Sequence, residues 1–252
     1  RNGRCRGSGR NTAIENCKFN YVALIDSGHE ADSKWIEGFH SKIIENNNKI
    51  DVIYGLVQPL INNYFSKILS CFVLGNKLHR GFMEETVASI LITKKLWLEV
   101  GKFDESIDGG YIVEDLRFLK KIKLNRFKKS QSINSKTKWL MVENLKQLYK
   151  KYTNYSKGAL KAGYFKVWHL GLIRNYFLYI GIIFASIFIN IKLLLLLFGL
   201  IFLRSFFYLN KNSWYNNANI INMCYYILGF TYLMFVIDMS AFRGIINYIL
   251  KK

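Results

Sequence analysis

Residues Asn20 to Asp32 read NYVALIDSGHEAD, an apolar run of strand length that stops at a carboxylate, a small residue, a glycine and further polar groups. Tyr21-Val22-Ala23-Leu24-Ile25 shows no alternation, which suits a strand of a parallel sheet covered on both faces. Doubly wound sheets bind ligands beyond the carboxyl ends of such strands, so Asp26 is expected on the functional rim. The competing reading is that Asp26 only caps the turn that follows.

Outward from this strand the elements alternate in the α/β manner. A short helix over Asn11 to Cys17 precedes it, after a glycine turn. Downstream, Asp32 or Ser33 is placed to cap a helix running to about Asn46, with Trp35, Ile36, Phe39, Ile43 and Ile44 as its inner face. The pattern then predicts a strand over Asp51 to Val57 ended by the lone proline, Pro59, a helix over Asn62 to Leu74, a strand over Val87 to Thr93 and a short helix over Lys95 to Val100. The turn Gly101-Lys102-Phe103-Asp104-Glu105 leads to a second chemical centre. There Glu114 and Asp115 stand between the Gly109-Gly110 pair and a helix with Leu116, Leu119 and Ile122 on its apolar face. Two acids at a helix start act either as partners of the helix dipole or, if one is free to take a proton, as a general base.

The net charge of +19 is unevenly spread. Residues 1–115 carry 14 Lys/Arg against 15 Asp/Glu, whereas residues 116–174 carry 16 Lys/Arg against Glu143 alone. This basic block adjoins the most apolar part of the chain, as expected of a cytoplasmic juxtamembrane segment that attracts anionic lipid. The partner read from it is an anionic membrane surface and not nucleic acid, despite the interleaved aromatics. Residues Tyr176 to Leu209 contain no acid and only Lys192 and Arg204 as charges. Asn190-Ile191-Lys192 divides the run into Leu172 to Ile189 and Leu193 to Leu209, and Ala218 to Ile237 gives a third candidate span beyond a polar linker over Asn210 to Asn217. Ala241 to Lys252 has the pattern of an interfacial helix. Cys5, Cys17, Cys71 and Cys224 form no CxxC pair and suggest free thiols, and His29, His40, His79 and His169 show no metal-ligand spacing.

Taken together, several ordered blocks resemble the family 2 glycosyltransferases. GRNTAIENCKFNYVALIDSG resembles the family's Arg-Asn helix and acid-tipped strand, and DSKWIEGF its following helix. VASILITKKLWLEVGKFDESI resembles the acceptor-side strand, helix and Gly-x-Phe-Asp-Glu turn, and VEDLRFLKKI the Glu-Asp motif. KWLMVENLKQLYKKYTNYSKGALKAG is similar to the segment that joins the domain to membrane helices in a bacterial and archaeal branch.

The resemblance implies an α/β fold: an A-type nucleotide-sugar transferase domain over residues 1–138, lacking its N-terminal strand-helix-strand. A basic amphipathic juxtamembrane segment over 139–171 would follow, then a membrane region over 172–252 with two or three transmembrane helices and an interfacial tail. It implies a hexosyltransferase-type enzyme of the cell envelope, multi-pass in the cell membrane with its catalytic domain cytoplasmic. Such an enzyme moves sugar from a nucleotide-sugar donor to a glycan or lipid-linked acceptor, as in polysaccharide biosynthesis. Asp115 matches the catalytic base, with Glu114 beside it; Asp26, Arg10 and Asn11 match donor-binding positions; Trp139, Gln147 and Tyr149 fall where the family closes its site. A divalent cation, Mg or Mn, is expected on Asp26, although Gly28 replaces the second acid of the Asp-x-Asp motif and leaves His29, Glu30 or Asp32 as substitutes. Gln147-Leu148-Tyr149-Lys150-Lys151 stands where processive synthases carry Gln-x-x-Arg-Trp, which argues against processive synthesis. The alternative is a non-catalytic membrane scaffold or assembly partner derived from a truncated transferase.

Overall fold

The computed structural model describes residues 5–74, 85–106, 113–211 and 220–250. The Gly109-Gly110 pair and most of the polar linker before residue 218 lie outside them. The chain forms two compact units, one of residues 1–60 and 77–141, the other of 61–76 and 142–252.

The first unit is mixed α/β around one five-stranded sheet. Its elements in chain order are α1 (Arg6–Asn16), β1 (Tyr21–Ile25), β2 (His29–Ala31), α2 (Trp35–Glu45), β3 (Val52–Leu60), β4 (Ser89–Thr93), α4 (Lys94–Glu99), α5 (Val113–Leu124) and β5 (Lys129–Leu140); α3 (Tyr64–Leu74) belongs to the second unit. The strand order is β1-β4-β3-β5-β2, and only β3 and β5 run parallel. The expectation of a parallel strand at β1 is therefore corrected: β1 is an edge strand, antiparallel to β4, and only Val22 of its five residues is buried. An unbroken apolar run does not record the direction of its neighbour. The fully buried parallel-type run is instead matched in burial by β4, whose five residues are all inside.

Helices cover both faces of the sheet. Ile14, Leu96, Trp97, Phe118 and Ile122 of α1, α4 and α5 pack on Val22, Val52, Ile90 and Ile92. On the opposite face Trp35 and Phe39 of α2 meet Ile53 and Leu91. Ile36 and Ile44, expected inside, are exposed, as is Leu116 at 36%. The reason at α2 is a close approach: a Cβ on Gly38 would collide with the Ser135 hydroxyl and the Asn134 carbonyl carbon, so the helix leans on β5 through Gly38 and turns its flanks outward. β5 itself buries Ser132, Ser135 and Thr137, not apolar residues, and the Trp35 indole donates to Ser89 Oγ at 2.9 Å. β3 runs past Pro59 to Leu60, beside β5.

The second unit is helical: α3, α6 (Leu145–Lys161), α7 (Phe165–Trp168), α8 (Leu170–Phe188), α9 (Leu193–Lys211) and α10 (Ile220–Ile249). Helices α8 and α10 (over Asn222–Ile249) are long and apolar enough to cross a membrane, and α9 contributes a shorter apolar stretch over Leu193–Phe207. The break at Asn190-Ile191-Lys192 is present, with Asn190 Oδ1 accepting from the Lys192 amide at 2.9 Å. The separate span and interfacial tail are corrected to one helix. No Gly or Pro interrupts Ile237 to Ala241, and α10 continues for 30 residues, about 45 Å at 1.5 Å per residue. Asp238 is held within it by Arg204 of α9 at 2.8 Å and by the Tyr176 hydroxyl of α8 at 3.3 Å, so an apolar bundle carries this charge as a pair. Small residues set the α6–α10 crossing: Gly244 lies against Ser156, whose hydroxyl donates to the Ala241 carbonyl at 2.7 Å.

Phe177, Phe184, Ile187 and Phe188 of α8 are exposed, an apolar surface too large for water to favour. The complete chain in vesicles is therefore expected to resist extraction by alkaline carbonate and by 1 M salt, read by co-sedimentation. Release by carbonate would make α8 and α10 ordinary core helices.

Candidate functional site

Acids from two distant stretches, Asp26 and the adjacent Glu114 and Asp115, meet on one guanidinium. α1 begins at Cys5, whose thiol accepts from the Ser8 amide, and buries Gly7, Asn11 and Ile14 at helical spacing. Gly7 is required because a Cβ there would stand 2.5 Å from the Asp104 carbonyl oxygen. Asn11 uses its whole amide: Nδ2 donates to the Phe103 carbonyl at 2.9 Å and to Glu105 Oε1 at 2.7 Å, while Oδ1 accepts from the Trp97 indole and the Phe103 amide, each at 3.0 Å. These bonds bind α1 to the turn after α4, where Gly101 and Lys102 both take positive φ. The same turn is tied to α5 by the Asp104–Arg117 ion pair. Ser106, with Arg117, holds the Asp104 carboxyl down at about 2.

With α1 fixed in this way, Arg10 reaches Asp26 at the end of β1 and both Glu114 and Asp115 in the first turn of α5. Its Nη1 donates to Asp115 Oδ1 and to Glu114 Oε1 at 3.3 Å; Nη2 donates to Asp26 Oδ1 and to Asp115 Oδ2 at 3.4 Å. The guanidinium lies over the Phe103 ring, 5.2 Å from its centroid. Burial pushes the Asp115 carboxyl up to about 7, helped by the charges of Asp26 and Glu114 and opposed by Arg10. A carboxylate that titrates near neutrality beside a fixed cation can accept a proton from a hydroxyl.

The other expected residues are placed as follows. Trp139, the penultimate residue of β5, lies opposite His29 of β2, their rings stacked at 5.7 Å, and the neighbouring Leu140 amide donates to Gly28 O at 2.8 Å, so Trp139 flanks the turn that carries Asp26. Gln147 and Tyr149 lie on α6 in the second unit. Gln147 sits at the helix start, its amide donating to Asn144 Oδ1 and its Oε1 accepting from the Glu143 amide, and Tyr149 is about a third exposed. Asp104, Glu105 and Arg117, which brace the site, were not singled out from the sequence. Their place in the Gly-x-Phe-Asp-Glu turn and beside the Glu-Asp pair was the available signal.

Among the described residues no three His, Cys, Asp or Glu side chains gather as a ligand set. Asp26 is engaged by Arg10, and Gly28 takes φ +87°, a conformation an Asp there would adopt only under strain. Of the substitutes, His29 stacks on Trp139, Glu30 lies opposite Lys138, and Asp32 accepts from the Lys34 amide. No family model matches the chain, and no curated protein matches it.

The Asp115 shift has a consequence for stability. Its folded-state value lies above the ordinary carboxylate value, so the folded state holds a proton that the unfolded state has lost. Stability therefore falls as pH rises from about 4 to about 7. Asp115→Asn removes this penalty: its Tm is expected to exceed wild type by a few degrees at pH 8 and to differ little at pH 5, by thermal denaturation. An equal effect at both values would contradict the assignment.

Proposed function

We propose that the chain is a membrane-anchored sugar transferase that uses a nucleotide-sugar donor and the hydroxyl of a lipid-linked or cell-envelope glycan acceptor. The observation that carries this reading is the gathering of Asp26, Glu114 and Asp115 on Arg10 at the carboxyl end of β1. In the reaction the acceptor oxygen attacks the anomeric carbon from the face opposite the diphosphate. The bond from that carbon to the diphosphate oxygen breaks with its electron pair leaving on the phosphate, and the hydroxyl proton passes to the Asp115 carboxylate. The product has inverted configuration. Asp26, at the rim of the sheet, is assigned to the donor side. Glu114 is 4% exposed and supports the acceptor loop.

Two apolar helices of spanning length support a lipid-linked acceptor, because they would hold the first unit at the bilayer surface. The basic residues from 116 to 174 favour the cytoplasmic side for that unit, in a multi-pass arrangement.

The test uses the full-length protein in proteoliposomes with a panel of nucleotide sugars. Asp115→Asn is expected to lower turnover by on the order of 10² to 10⁴ while nucleotide binding persists. Asp26→Ala is expected to weaken nucleotide binding itself, read by isothermal titration. Transfer at the wild-type rate by Asp115→Asn would remove the base assignment, and wild-type protein that binds no nucleotide would favour a scaffold.

A further inference from the structure

We infer that Arg10 is a positioning residue for the carboxylate base and not a ligand of the donor. The inference rests on Asp115 being the base. Each terminal nitrogen of a guanidinium bears two N–H groups. In this site Nη1 spends its two on Glu114 and Asp115, and Nη2 spends its two on Asp26 and Asp115. Neither terminal nitrogen keeps a donor for a diphosphate, and engaging one would break a bond to an acid.

The geometry also explains why an arginine stands here. Asp115 is grasped through both oxygens, a two-point contact that fixes the carboxylate plane as well as its position. An ammonium on a flexible stem supplies charge without that fork. Below the head, Asn11 and Gly7 hold the helix backbone against residues 103–105, and the Phe103 ring supports the guanidinium from one side. The chain thus braces Arg10 from behind and aims it at acids that would otherwise repel one another. Asp26 and Asp115 come from blocks 89 positions apart in sequence, and this one head sets their spacing.

Two readouts on the complete chain test the inference, with Arg10→Gln, Arg10→Lys, Asp115→Asn and the double variant Arg10→Gln/Asp115→Asn. The first needs no activity: Tm values at pH 8 form a double-mutant cycle, in which loss of Arg10 is expected to cost less once Asp115 is Asn. Additive changes would overturn the contact. The second is steady-state transfer. Arg10→Gln is expected to lower kcat about 10²-fold, the scale of a small misplacement of a catalytic group, with donor KM within about twofold, and Arg10→Lys to recover part of kcat. A raised donor KM at unchanged kcat would overturn the inference and make Arg10 a donor ligand. Absence of transfer by wild type would overturn the transferase reading and Arg10's role in it, while a coupled cycle would still establish the ion pair. If Arg10→Gln does not fold, Arg10→Lys carries both readouts against the same outcomes.

Discussion

The Arg10 guanidinium is the constraint on which the first unit depends. Three carboxylates converge on it, and its side chain is only 15% exposed, so water does little to screen their mutual repulsion. Removing the cation from such a buried arrangement costs on the order of 3–5 kcal/mol, a large share of a domain's stability. The fold meets that demand from α1, β1 and α5 at once. The cluster is also unbalanced, with three acids against one base, and burial, helped by the charges of Asp26 and Glu114, moves Asp115 toward neutral pH. A purely structural ion pair would be better served by equal numbers. The surplus of acid is kept at a cost to stability, as functional sites commonly are.

A second ion pair performs a different task in the helical unit. Arg204 and Asp238 would each oppose burial in an apolar bundle alone, and together with the Tyr176 hydroxyl they join α8, α9 and α10. Packing around them relies on small residues, with Gly229 against Ile68 of α3 and Gly244 against Ser156 of α6. Close backbone approach, not bulk, sets these crossings.

Much of this was legible in the sequence. Strand β1 with its terminal acid, the Glu-Asp pair at the start of α5 and the break between α8 and α9 all announce themselves locally. Strand β5 did not, because its inward residues are Ser132, Ser135 and Thr137, and a strand that buries hydroxyls beside glycines carries no apolar alternation to read. The direction of β1 was hidden for a related reason: hydrophobicity reports burial and not the sense of pairing. Continuity of α10 through Asp238 was obscured because a charge after an apolar run reads as an end, and its partner Arg204 lies 34 positions away. The same distance effect concealed the hub. Arg10 and Asn11 were expected beside a nucleotide; in the fold Arg10 donates to the acids and Asn11 bonds the turn at residues 103–105.

The most direct test of this account is the ionisation of Asp115 in the complete chain. Carboxyl-carbon NMR of protein labelled at aspartate, with Asp115→Asn used to assign the resonance, should show that group titrating near 7. A midpoint near 4, the ordinary carboxylate value, would mean that the buried, crowded cluster around Arg10 does not exist in solution as described.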